Sequence, residues 1–191
     1  MIRDGRLLYH LTALENLASI LQHGLQPRCE LSNEEFDDVA DGDILDSRAN
    51  HHLDRYVPFH FFAKNPFDYG VQRAHPNKDF VLIAIQRATA RANGWQIVPT
   101  HPLAEEGYQI LDYDAGFAAI DWELMEERDY DYRACKVTCM AECLSPTSVN
   151  PNLIFCIYVK NARVKAVVDR LVNSHRVNCH VDINSAMFVG E

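Results

Sequence analysis

The sequence predicts an α+β fold, on three observations. Apolar runs of strand length outnumber segments with helical periodicity, and the two kinds do not alternate regularly as a doubly wound parallel sheet requires. The eight glycines never cluster into the phosphate-cradling turn that opens a nucleotide-binding βαβ unit. At 191 residues, with no internal repeat and no linker rich in Pro, Gly or Ser, the chain is expected to form one domain over residues 1–191. Hydrophobic residues make up 48% and charged residues 24%, an ordinary globular balance that excludes disorder, collagen and coiled coil.

The elements follow in order. Leu7 to His10 reads as a strand running into Thr12-Ala13-Leu14-Glu15, which has the form of a capping box. Leu14, Leu17, Ala18 and Leu21 then recur at helical spacing, and Gly24 supplies the stop. Residues 30–43 are acidic and weakly periodic and read as a mobile loop, after which Asp43 is placed to cap a short helix through Ile44, Leu45 and Ala49. Val57 to Phe62 is a second strand, and Pro58 assigns it to an edge or to a strand start. Asn65-Pro66 marks a helix N-terminus, and Phe80 to Ile85 is a buried strand. Residues 101–132 read as a long acidic connection with a turn of helix near Trp122-Glu123-Leu124. Val137–Leu144 and Leu153–Val159 are further strands. Asn161 caps a helix with an apolar face of Val164, Val167, Val168, Leu171 and Val172, and the alternating tail from Val177 to Ile183 closes as a strand.

The charge excludes one class of function. With 18 Lys+Arg against 27 Asp+Glu the chain carries −9, too acidic to coat nucleic acid through bulk phosphate neutralisation. The distribution is uneven: residues 1–45 sum to −6, 46–100 to +3, 101–132 to −9 and 133–191 to +3. A short strand held in one locally basic cleft stays compatible with that pattern. No stretch approaches the roughly 20 apolar residues of a membrane span. The N-terminal residues lack a signal peptide's apolar region, so a cytoplasmic protein is expected. The six cysteines then read as reduced thiols. Cys135, Cys139 and Cys143 recur every four residues, but without the second ligand pair of a structural zinc site they read as small buried thiols on a strand, and no metal is expected.

Two residues stand out as carriers of chemistry. His10 sits where the first strand meets the first helix, open to a structural role or to hydrogen bonding a ligand. Glu142 is a carboxylate in the apolar run Cys139-Met140-Ala141-Glu142-Cys143-Leu144, and alternation sets it opposite Ala141 and Cys143. Such a carboxylate suits stabilisation of a developing cation, as in glycosidic cleavage, although no second carboxylate lies near it in sequence.

Four blocks in order carry a resemblance to a known family. Tyr9-His10-Leu11-Thr12 with His23-Gly24-Leu25, then Ile44 to Arg48, then Tyr56 to Phe62 with Asn65-Pro66-Phe67-Asp68-Tyr69, and finally Met140-Ala141-Glu142-Cys143-Leu144 resemble the DarT-type DNA ADP-ribosyltransferase toxins over most of residues 6–160. The resemblance implies an ADP-ribosyltransferase fold, a split pair of antiparallel sheets with a few flanking helices and an NAD cleft between them. It implies transfer of ADP-ribose from NAD to a base in single-stranded DNA, and a macrodomain antitoxin that removes it. By matching position, Glu142 is the catalytic residue, Arg48 grips the NAD phosphates, His10 and Thr12 line the NAD site, and Tyr69 packs near the nicotinamide. Lys136, six residues before Glu142, stands near where the family carries an arginine and is assigned to substrate binding without the arginine's fork geometry. Acceptors other than DNA (protein, RNA or a nucleotide), and an inactive binding domain of the same fold, are the alternatives.

Overall fold

The structure, a computed structural model, describes residues 1–31, 52–101 and 109–190. In chain order its strands are β1 (Leu7–Ala13), β2 (Val57–His60), β3 (Phe80–Gln86), β4 (Gln96–Val98), β5 (Leu111–Asp112), β6 (Glu142–Ser145), β7 (Cys156–Val159) and β8 (His180–Ile183). Its helices are α1 (Leu17–His23), α2 (Pro66–Ala74), α3 (Arg87–Ala92), α4 (Tyr113–Ala119), α5 (Trp122–Glu127), α6 (Arg133–Thr138) and α7 (Ala162–His175). The strands lie in the order β5-β4-β6-β2-β1-β3-β7-β8, so the α+β expectation holds. Every neighbouring pair is antiparallel except β7 and β8, which run parallel because α7 carries the chain back between them.

The sheet is two half-sheets meeting at a narrow seam. On one side β1 pairs β3 through all seven residues, from Leu7↔Gln86 to Ala13↔Phe80. On the other, β2 pairs β6 from Val57↔Ser145 to His60↔Glu142. Between them β1 and β2 share a single register pair, Tyr9↔His60. This explains Pro58, which the sequence assigns to an edge or strand start. It stands second in an interior strand, and the β1 ladder reaches β2 only at His60, so its missing N–H breaks no bond there.

Two side chains cross-link the seam on either side of that pair. His10 Nδ1 donates to the Pro58 carbonyl at 2.8 Å, and its ring lies 5.6 Å from that of Phe59. Arg87, at the head of α3, donates from Nε to Leu7 O (3.1 Å), from Nη1 to Arg3 O (2.9 Å) and from Nη2 to both Ile2 O and Phe61 O (3.0 Å each). Burial pulls its pKa below the ordinary arginine value, and four carbonyl oxygens stand in for the lost water. The rings of Phe61, Trp122 and Phe117 surround the guanidinium at 5.1, 5.7 and 5.9 Å.

The core covers one face of both halves. Leu17, Ile20 and Leu21 of α1 and Val164, Val168 and Val172 of α7 bury the β1–β3–β7 half, while Phe61, Ile97, Trp122 and Met125 fill the other. Asn161 caps α7 by accepting from Val164 N, and Asn65 caps α2 by accepting from Asp68 N, both as the sequence predicts. Gly116 is required by packing: a Cβ there would sit 2.5 Å from that of Ile97.

Four sequence expectations are corrected. Thr12 does not cap a helix. β1 continues through Ala13, Leu14 N extends the ladder to Asp79 O, and α1 begins after a 3-10 turn at Leu14–Asn16, because full pairing with β3 outweighs a local cap. The span 137–144 is not one strand: α6 ends at Thr138 and β6 begins at Glu142. Cys135 and Cys139 therefore lie one turn apart on or beside a helix, and only Cys143 is on a strand. The described part of the acidic connection, from residue 109, is largely helical, because its acids cap helices: Asp112 accepts from Ala115 N and Asp121 from Leu124 N. The strand expected from Leu153 starts only at Cys156, after a 3-10 turn at Pro151–Leu153. The predicted loop at 30–43 and the helix from Asp43 lie, apart from residues 30 and 31, outside the described residues.

Replacing Arg87 with methionine leaves four carbonyls short of a donor and removes the seam's charged cross-link. The variant is expected to lose on the order of 3 kcal/mol or more, read as a lowered urea midpoint with unchanged slope; an unchanged midpoint would show that the seam does not depend on it.

Candidate active site at the seam of the sheet

The single pair that joins the halves also builds the site. Tyr9 on β1 faces His60 on β2, His60 faces Glu142 on β6, and Glu142 faces Val98 on β4. Side chains directly opposite on antiparallel strands share a face with Cβ atoms about 5 Å apart, so Tyr9, His60 and Glu142 form one row across the seam. Glu142 and His60 are both 4% exposed. His60 Nδ1 donates to Ala141 O at 3.2 Å, which fixes its tautomer from the residue before the carboxylate. Phe67, in the first turn of α2, lays its ring 5.7 Å from the imidazole, and Tyr158 stands 6.3 Å from Tyr9. Burial also raises the Tyr9 phenol above its ordinary pKa.

The residues expected from sequence are divided by the pleat. Glu142 lies in the row. His10 and Thr12 alternate with Tyr9 and point to the opposite face, toward the main core. His10 still reaches the seam, from its other side, through Pro58 O. Thr12 is 2% exposed, and its Oγ1 accepts from Asn16 Nδ2 at 3.3 Å. Tyr69 stands on the outer face of α2, 45% exposed, with the Arg73 guanidinium carbon 5.8 Å from its ring centre. Lys136 is exposed on α6, the helix that leads into Glu142. Arg48 lies outside the described residues.

Sequence reasoning did not single out Tyr9, His60 or Phe67. Their common signal is alternation, but which alternate residues meet depends on β1–β2–β6 register, which no local pattern records. His101 was also missed. It is buried three residues past Val98, and its backbone N–H donates to Val137 O at 3.0 Å, joining β4's end to α6.

Cys135 and Cys139 place their sulfurs 3.9 Å apart and donate to Leu124 O and Met125 O, and burial beside Cys135 pushes the Cys139 thiol up to about 12. Among the described residues, no group of three or more His, Cys, Asp or Glu side chains could hold a metal ion. No described helix is long and apolar enough to cross a membrane.

The order of strands and helices around this row matches that of solved DarT structures. Thermus sp. 2.9 DarT in complex with ADP-ribosylated ssDNA superposes with a TM-score of 0.84 over 96% of each chain at 18% identity. The same organism's DarT in complex with NAD+ gives 0.81 over 97% of this chain and 98% of that one, at 17% identity. A family model described as ssDNA thymidine ADP-ribosyltransferase, DarT, matches residues 9–189, and the chain belongs to that family. A curated relative, the DNA ADP-ribosyl transferase-DNA ADP-ribosyl glycohydrolase fusion protein of Thermosipho africanus (strain H17ap60334), is 26% identical over 187 residues, 90% of this chain. This chain spans 47% of that relative's length.

One ionisable group beside the row stands apart. Asp68, one residue after Phe67, is 1% exposed, and among the described residues neither carboxylate oxygen meets full hydrogen-bond geometry, although the Asn65 side chain and the Lys64 backbone lie close. Burial raises its pKa to about 7, partly opposed by the Asn65 side chain and the Lys64 backbone. The unfolded chain ionises Asp68 near 3.8 and the folded chain near 7, so stability falls as pH rises between those values and is level outside them. Asp68→Asn removes this slope. The variant's thermal midpoint is expected to gain on wild type between pH 4 and pH 7, by the equivalent of a few kcal/mol; a difference that does not change with pH would refute it.

Proposed function

We propose that this chain transfers ADP-ribose from NAD to a thymidine base in single-stranded DNA. In this reading it is the toxin of a toxin–antitoxin pair acting in the cytoplasm, with residues 1–191 as one domain and a macrodomain glycohydrolase partner reversing the modification. The observation that carries the reading is Glu142, a buried carboxylate at the head of β6 and beside Tyr9↔His60, the register pair that joins the two half-sheets among the described residues. Family membership and the superposition on DarT bound to NAD+ and to ADP-ribosylated ssDNA support it.

The chemistry needs one anion in a dry place. The bond from ribose C1′ to nicotinamide breaks, its electron pair leaves with the nicotinamide nitrogen, and positive charge spreads over C1′ and the ring oxygen. Glu142 accepts a hydrogen bond from the 2′-OH of that ribose and stabilises the cation as it forms. The base then bonds to C1′ and loses a proton, for which the same carboxylate is the acceptor. An unstacked base costs least to present, which favours single-stranded substrate. Arg48 binds the NAD phosphates, Tyr69 packs toward the nicotinamide end, and Lys136 contacts a DNA phosphate, while His10 and Thr12, on the opposite face from Glu142, support the NAD site from behind the sheet. NAD is a co-substrate, and none of these roles calls for a metal.

Incubation with labelled NAD and short single-stranded DNA, RNA or protein tests the reading. Label on thymidine of the DNA is expected, and Glu142→Gln should lower the rate at least 10²-fold while NAD binding changes little. Label on RNA or protein alone would move the acceptor. No label despite measurable NAD binding would make the chain a binding domain. The acidic total further predicts a shallow salt dependence of DNA binding, about two to four phosphate contacts at about 0.7 each in the logarithmic slope. A steeper slope would place a broader basic surface on the DNA.

A further inference from the structure

We infer that His60 is a positioning residue that clamps the catalytic strand at the point where Glu142 leaves it, through its Nδ1 hydrogen bond to Ala141; the inference rests on the proposed transferase reading of Glu142.

β6 is only four residues long, and Glu142 is the first of them. Both of its ladders stop there: His60↔Glu142 toward β2 and Val98↔Glu142 toward β4. Ala141 lies one residue outside both ladders, and it is preceded by the tight turn in which its N–H donates to Thr138 O at 3.1 Å. A strand end is where pairing frays first, and here the terminal residue carries the chemistry. The Ala141 carbonyl belongs to a residue that is 1% exposed, where water is a poor substitute for a protein donor. His60 Nδ1 supplies that donor at 3.2 Å.

The imidazole is itself held firmly. Its backbone forms the one pair with Tyr9 that joins the half-sheets, so β1 braces it from one side and β6 from the other. The Phe67 ring, inclined 33° and 5.7 Å away, covers it from α2, whose N-terminus is fixed by Asn65 through Asp68 N and Phe62 O. A ring so confined transmits its position to the peptide it bonds, and the Ala141–Glu142 peptide sets where the carboxylate points. An error of about 1 Å in such a group costs about 10²-fold in rate. His60 thus makes the seam and the catalytic carboxylate one mechanical unit.

Three substitutions separate this role from general support of the fold. His60→Phe keeps an aromatic ring against Phe67 and removes the donor. His60→Asn returns an amide donor near the place of Nδ1, and His60→Gln carries one out near the place of Nε2. His60→Phe is expected to lower kcat for DNA labelling about 10–10²-fold with KM for NAD nearly unchanged, and His60→Asn to recover most of that loss while His60→Gln does not. Thermal unfolding and calorimetric NAD binding are measured on each variant, so a fall in kcat through unfolding is recognised by a parallel fall in both. Wild-type kcat in His60→Phe would overturn the inference. So would equal loss in the folded Asn and Phe variants, or rescue by Gln alone. Wild-type protein is assayed alongside: if it labels nothing, the transferase reading fails and the role of His60 with it. Labelling by wild type and His60→Phe alike sinks the His60 role only.

Discussion

Most of what is distinctive in this molecule depends on one backbone pair, Tyr9↔His60. Two half-sheets that are well paired internally meet through that single register position within one eight-stranded order. The seam stays narrow without zipping shut because side chains replace backbone bonds on either side of it. His10 reaches across to Pro58 O, and Arg87 gathers carbonyls from the N-terminal segment, from β1 and from Phe61. Proline at position 58 is part of the same solution, since a residue without an N–H cannot extend the β1–β2 ladder. A buried arginine bonded only to carbonyls is costly to desolvate, and its retention here makes sense as the bond that closes one end of a deliberately unfinished pairing.

The seam also decides where a carboxylate can be both buried and useful. Glu142 heads a strand, so its side chain lies at a boundary between ordered sheet and the turn after α6 rather than deep in a ladder. In the proposed reaction, burial strengthens its field on the developing cation, since little water competes. The same low-dielectric wall extends to α2, where Asp68 is buried one residue from the ring that covers His60 and, among the described residues, makes no well-formed hydrogen bond through its carboxylate. The fold tolerates that cost immediately behind its site, a place where stability and function commonly diverge.

The charge of −9 takes on a different meaning once the elements are placed. Part of the acidic block at 101–132 is capping chemistry: Asp112 and Asp121 hold helix N-termini, and Asp114 pairs with Arg91 at 2.7 Å. These acids do structural work at the surface, which leaves exposed bases such as Lys136 and Arg73 near the segments that carry the site.

What the sequence determined by itself was local. Periodicity and caps placed α2 and α7, the buried run placed β3, and the run around Glu142 marked a carboxylate out of keeping with its neighbours. Ordered blocks of short motifs pointed to the family. Where the local signal was weak or outweighed, the reading failed. Thr12 looked like a cap because the strength of β3 pairing is not visible in its four residues, and 137–144 looked like one strand because a six-residue helix leaves too short a period to detect. The tertiary structure alone decided register, and register decided the site. Tyr9, His60 and Glu142 are separated by about fifty and eighty residues of chain, and a shift of one position on any of the three strands would turn them to opposite faces. Side-chain alternation is written in each strand; which strands meet, and at which residue, follows from packing the whole chain around one core.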